Sequence, residues 1–309
     1  SVSVQETPQP RNGGVLSACI LLAAIILAGA VLYDAGERGG TTAQPASLAA
    51  ADTADNNVLL ENQVLPPAGV IVPAQWGDLG AKLVSVGAID ADRFVALYNQ
   101  RGEFPDEYRE ILFGNSTGEI RITRENASYW LNLLWALGLA NKNTILETGE
   151  MSDPRYGGAG NFASTGGWTL AKGEAMEHYS RHRFFELSDG EQELVDEVSR
   201  GIYRPCCGNS THFPDCNHGM AMLGLLEIMA SQGATKEEMY KAALAVNSYW
   251  FPDTYLAIAK YFQKRGVSWD KVDAKEVLGS AYSSASGYRD IRAKIEPIQQ
   301  QGGGGGCSV

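Results

Sequence analysis

RENASYWLNLLWALGLA, residues 124–140, follows Thr123 and carries Trp130, Leu133, Leu134 and Leu137 three and four residues apart. That spacing lines apolar side chains along one face of a helix. The punctuation around it is also helical. Ser188-Asp189-Gly190-Glu191 and Thr235-Lys236-Glu237-Glu238 read as capping boxes, and Gly201, Gly233 and Gly266 sit where helices should stop. Only GEIRIT, residues 118–123, reads as a short strand. The expected fold is therefore all-α: an irregular globular domain of eight to ten short helices over residues 58–298.

Upstream, residues 15–33 read VLSACILLAAIILAGAVLY, nineteen residues without a charge, which nearly matches a hydrocarbon core of about 30 Å as a helix. This predicts a single N-terminal transmembrane helix that anchors the chain in a membrane, with a cleaved secretory signal as the alternative. The flanking charges place residues 1–14 as a short cytoplasmic N-terminus and the body as extracytoplasmic, periplasmic or at the cell surface. Residues 34–57, rich in Gly, Ala, Thr and Asp, read as a flexible linker, and residues 299–309 as a flexible Gly-rich tail ending in Cys307.

The 309 residues hold 36 Asp and Glu against 25 Lys and Arg, a net charge of −11, and 44% are apolar. This balance excludes a basic nucleic-acid binder and a wholly disordered chain. HExxH does not occur, so no zinc-hydrolase motif assigns an enzyme activity. The Gly-rich stretch at 153–168 lacks a Gly-Lys-Ser/Thr ending and reads as a surface loop packed by Tyr156, Phe162 and Trp168. SYWFPDTY, residues 248–255, reads as core with Pro252 opening the next helix, a ligand platform being the alternative.

The chemistry concentrates in YRPCCGNSTHFPDCNHGM, residues 203–220. It holds Cys206, Cys207, Cys216, His212 and His218, and the other two histidines, His178 and His182, lie four apart just upstream. If that upstream run is helical, both imidazoles leave the same face. Thiolate with imidazole suits zinc, or copper when a thioether joins. Cys216, His218 and Met220 offer sulfur, nitrogen and thioether at alternate positions, which an extended segment would point to one side. A helix from about Asn217 to Ser231 would instead put Cys216 at its N-terminus, where the amide partial charge favours a thiolate.

The leading expectation is a membrane-anchored metal-binding protein for copper or zinc, serving metal handling or sensing. Its first shell would be Cys206, Cys207, Cys216 and His218, with His178, His182 or Met220 added. Two alternatives stand beside it. One is a thiol–disulfide oxidoreductase with Cys216 as nucleophile and Cys207 or Cys307 resolving it. The other is a non-catalytic, membrane-tethered interaction subunit of a larger assembly, its loop stapled by a disulfide such as Cys207 to Cys216.

Overall fold

The run at 127–140 is a helix with almost no solvent face: within Ala127–Ala140 only Ser128 and Leu131 escape burial. The computed structural model describes residues 56–295, apart from 101, 103 and 115. In chain order, α1 (residues 56–64) leads to strand β1 (Val70–Gly77), then α2 (Leu79–Ser85), α3 (Ala91–Asn99), α4 (Asp106–Phe113), strand β2 (Ser116–Ile122) and α5 (Ala127–Ala140). The short α6 (Thr144–Thr148) and α7 (Ala163–Gly166) sit in an otherwise irregular stretch before α8 (Asp189–Arg200). There follow α9 (Asn217–Ser231), α10 (Lys236–Trp250), α11 (Pro252–Lys264), α12 (Ala274–Leu278), α13 (Ser280–Ser283) and α14 (Ala285–Arg292).

The helical character agrees with the sequence reading, and the expected architecture needs three corrections. Fourteen α-helices occur among the described residues, not eight to ten, because single-turn pieces such as α7 and α13 carry no apolar period to announce them. A two-stranded antiparallel sheet is present: β2 covers the expected strand, and β1 is its unforeseen partner, with Val70 opposite Ile122 and Val72 opposite Ile120. The all-α domain behind a transmembrane helix is not what the structure contains, since no helix among the described residues is long and apolar enough to cross a membrane. The predicted span at 15–33, residues 34–55 of the expected linker and the expected tail at 299–309 lie outside the described residues, whereas residues 56 and 57, expected in the linker, open α1.

Helices α5 and α9 form the centre. All of Asn217 to Ala230 is buried, so α9 is as enclosed as α5, and these two helices pack against each other more extensively than any other helix pair among the described residues. They approach at Gly138 and Gly224: a Cβ on Gly224 would stand 2.5 Å from the Leu134 carbonyl oxygen and 2.7 Å from the Gly138 nitrogen. Glycine at both positions lets the backbones touch. The sheet closes one side. Val72, Ala74 and Trp76 alternate inward along β1, and Trp76 meets Trp130 of α5 edge to face at 5.4 Å.

The helix starts that position the site follow local chemistry. Ser188 and Thr235 cap α8 and α10 through reciprocal bonds with Glu191 and Glu238, as the sequence predicts. Pro252 opens α11 at its first turn, where a missing N–H costs nothing. Each fully buried Leu or Met of α9 contributes roughly 1.5–3 kcal/mol relative to leaving it exposed.

Candidate metal centre

The loop from Tyr203 to Cys216 is pinned by backbone hydrogen bonds on both sides. Tyr203 donates to the Leu278 carbonyl at 2.8 Å, Thr211 to Ile202 at 2.8 Å, Ala285 to Cys207 at 2.9 Å and Ser164 to Asp215 at 3.2 Å. No disulfide is needed to hold it, and Cys206, Cys207 and Cys216 carry thiols. The suggested Cys207–Cys216 staple is not formed. The close sulfur pair is Cys206 and Cys216 at 3.6 Å, well beyond a disulfide bond of about 2.05 Å.

Cys216 is the N-cap of α9, with an extended backbone at φ −123 and ψ 165, and the Met220 amide closes the first helical bond on its carbonyl at 3.0 Å. This is the predicted placement at a helix N-terminus. The extended cap also decides which ligands meet. Inside a helix, residues two apart point to opposite sides, yet Cys216 stands just outside the helix and its sulfur comes together with the His218 imidazole. Met220 follows the helical geometry instead, so the alternate-position pattern that nominated it does not form, and its side chain is fully buried in the core.

Two ligand groups result. Cys206, Cys216 and His218 place their donor atoms within 4.8 Å of one another, and so do Cys207, Asp215 and Cys216. Either group is close enough to hold a metal ion. His218 is buried between the site and the aromatic pair of α10 and its C-terminus, 5.7 Å from the Trp250 ring and 4.4 Å from Phe251. Its Nδ1 has no hydrogen-bond partner, a buried polar atom left without an acceptor or donor.

His178 and His182 belong to neither group. The run that carries them is not an α-helix; a single 3₁₀ turn ends at Glu177, and the two imidazoles pair with each other, Nδ1 to Nε2 at 3.1 Å. His178 Nε2 lies 2.9 Å from the Lys172 carbonyl, so in the neutral pair it donates there and Nδ1 accepts from His182. Burial first, then His178 and Arg181, holds His182 below its ordinary value.

Arg204 is the residue that sequence reading missed. Its side chain is 0% exposed, and it donates to Asp215 Oδ1 at 2.7 Å and to the Phe213 carbonyl at 3.2 Å. Nε and Nη1 have no hydrogen-bond partner. Burial works against the guanidinium charge, but Cys216, Cys207, Asp215 and Cys206 outweigh it and raise its pKa, so the charge persists. Nothing in YRPCC marks that arginine as buried.

The electrostatics converge on Cys216. The Cys206 thiol beside it, then Cys207, hold it well below its ordinary value; burial opposes this, and Arg204 and the Gly219 amide of the first helical turn add to the lowering. Cys207 moves the other way: Cys206 draws it down, yet Cys216 and burial together push it up. Asp215 is raised by burial, partly offset by Arg204 and by Asn209, whose Nδ2 donates to Oδ2 at 2.9 Å.

No family model, curated protein or solved structure matches this chain. Functional reading therefore rests on the site itself. A separate open cleft of about 550 Å³, lined by Glu150, Asp153, Arg200 and His212 among others, shares no residue with the sulfur groups. There His212 bridges Glu150 at 2.6 Å and Asp196 at 2.8 Å through its two ring nitrogens, apart from both sulfur groups.

Proposed function

We propose that this domain binds a copper or zinc ion through Cys206, Cys216 and His218 and serves metal handling, taking the ion up and releasing it. The carrying observation is the 3.6 Å separation of the Cys206 and Cys216 sulfurs beside a buried imidazole. In a tetrahedral site with metal–sulfur bonds of about 2.3 Å, sulfurs stand roughly 3.8 Å apart, so an ion enters with little movement. Two soft sulfurs and one imidazole suit zinc and copper above magnesium or calcium.

Handling is favoured over a purely structural role by two features. The hydrophobic core, centred on the packed pair α5 and α9 and drawing on most other elements, includes none of the three loop cysteines. Three protein ligands leave a fourth position, and Cys206 is exposed, which gives an exchanging ligand access. Elemental analysis of the reduced, purified protein after zinc or copper loading tests this. We expect one tightly held ion or more, and a loss of affinity beyond about 100-fold in Cys216→Ser and in His218→Ala, since even an outer-shell loss costs 10–100-fold. Affinity should weaken on acidification, because the thiols must shed protons to bind. Unchanged metal content in both variants would sink the proposal.

The same sulfur contact favours a second reading, thiol–disulfide exchange with Cys216 as nucleophile. Its nearest partner would be Cys206 rather than Cys207; Cys307 lies outside the described residues. Treatment of the metal-free protein with oxidised glutathione, followed by a disulfide map, separates the readings: rapid formation of Cys206–Cys216 together with no metal affinity would favour exchange.

A further inference from the structure

We infer that the loop holds two metal ions, bridged by the Cys216 thiolate, the second ion bound by Cys207, Asp215 and Cys216. This rests on the metal-binding reading above and deepens it. The two ligand groups have one atom in common, the sulfur of Cys216, and the residues of the two together do not form a single set within the same distance. An ion placed among Cys206, Cys216 and His218 therefore leaves Cys207 and Asp215 without metal. A thiolate sulfur has more than one lone pair and can serve two soft or borderline cations at once.

Charge permits the second ion: with Cys206, Cys207 and Cys216 as thiolates and Asp215 as carboxylate against the single guanidinium of Arg204, one divalent ion leaves the loop at a net −1 and two leave it at +1. Asp215 also keeps room for a metal: a carboxylate offers about four lone-pair positions, of which Arg204 at 2.7 Å and Asn209 at 2.9 Å take two. Those two donors orient the carboxylate as outer-shell partners orient metal ligands. The Cys207 carbonyl accepts from the Ala285 amide, so the position of its backbone does not rely on an ion.

The test is cobalt(II) titration of the reduced full chain, carrying Cys19→Ser and Cys307→Ser so that only the loop thiols can bind. Bound cobalt is counted after desalting, and thiolate-to-cobalt absorption and electron spin resonance are followed at each equivalent. We expect two ions per chain, with the spin signal per cobalt falling as the second enters, because a shared sulfur couples the two centres. Cys207→Ser and Asp215→Asn should each bind one ion, keep the spin signal of isolated cobalt and keep the helical circular dichroism of the parent. Saturation of the parent at one ion, lost on Cys216→Ser, would overturn the two-ion site while leaving the single-ion reading intact. Two ions whose count does not change in Cys207→Ser and Asp215→Asn would also overturn it. Absence of any bound cobalt would overturn both.

Discussion

Gly219, in the first turn of α9, lacks a side chain where Arg204 lies across it: a Cβ would stand 2.7 Å from Arg204 Cζ and 2.8 Å from Nη2. An arginine tip at the surface could swing away, but this one is buried and tied to Phe213 and Asp215. Gly219→Ala should therefore cost about 1–3 kcal/mol as overpacking, read by chemical denaturation, and should also weaken metal binding by shifting the charge beside Cys216. Arg204→Leu is the sharper case. Removing one partner of a buried ion pair costs roughly 3–5 kcal/mol, and the lower end is expected because Asp215 is 21% exposed. A denaturation midpoint unchanged from the parent would show that Arg204 does not hold the loop. At this scale Cys206, Cys216 and His218 were legible, since clustering of soft ligands is a property of composition and spacing. Arg204 was not, because burial of a charge depends on what folds over it, and His178 and His182 misled because the run carrying them is not helical.

Among elements, the crossing of α5 and α9 sets the geometry on which the site stands, for α9 carries His218 at its start and Cys216 just before it. The closest approach is backbone to backbone at Gly138 and Gly224, where a Cβ on Gly138 would overlap the Met220 carbonyl. Flexible side chains cannot yield there, so Gly138→Ala or Gly224→Ala should each destabilise by about 3 kcal/mol or more. The two facing substitutions combined should cost less than their sum, since one separation of the helices relieves both. Thermal unfolding of the two single variants and the double variant checks this, and a strictly additive result would mean that the crossing does not move as a unit. Helix starts were the most readable elements, because Ser188, Thr235 and Pro252 act through neighbours three residues away or fewer. Strand β1 escaped notice because Pro73, facing solvent, interrupts its ladder where the register shifts between Val72 and Gln75. The apolar run at 127–140 suggested one buried face, but enclosure on every side is settled only by what packs around it.

At the scale of the whole molecule, the acidic balance of the chain has one fully buried member among the described residues. Glu227 of α9 is fully buried, and its partners are neutral: Asn143 Nδ2 donates to Oε1 at 2.5 Å and Asn141 Nδ2 to Oε2 at 3.4 Å. Neither amide can turn to offer its oxygen. That of Asn143 accepts from the Ile145 amide and Gln192, and that of Asn141 from the Phe184 amide. Burial outweighs these two amides and raises the Glu227 pKa well above its ordinary 4.5. Below that ordinary value both folded and unfolded chains hold the proton, and the stability is fully present. As pH climbs above it the unfolded chain ionises while the folded chain stays protonated, so stability falls until pH passes the folded pKa. The loss for one proton is at most about 1.4 kcal/mol per pH unit, or roughly 3–6 °C of melting temperature per unit in a domain of this size. Glu227→Gln has no proton to lose. Metal-free protein in chelator, melted across buffers from mildly acidic to alkaline pH, should show the parent declining more steeply than the variant, whatever offset the lost acceptor introduces. Parallel slopes would mean that Glu227 is ionised in the fold and that the interior supplies a compensating charge which the two asparagines do not.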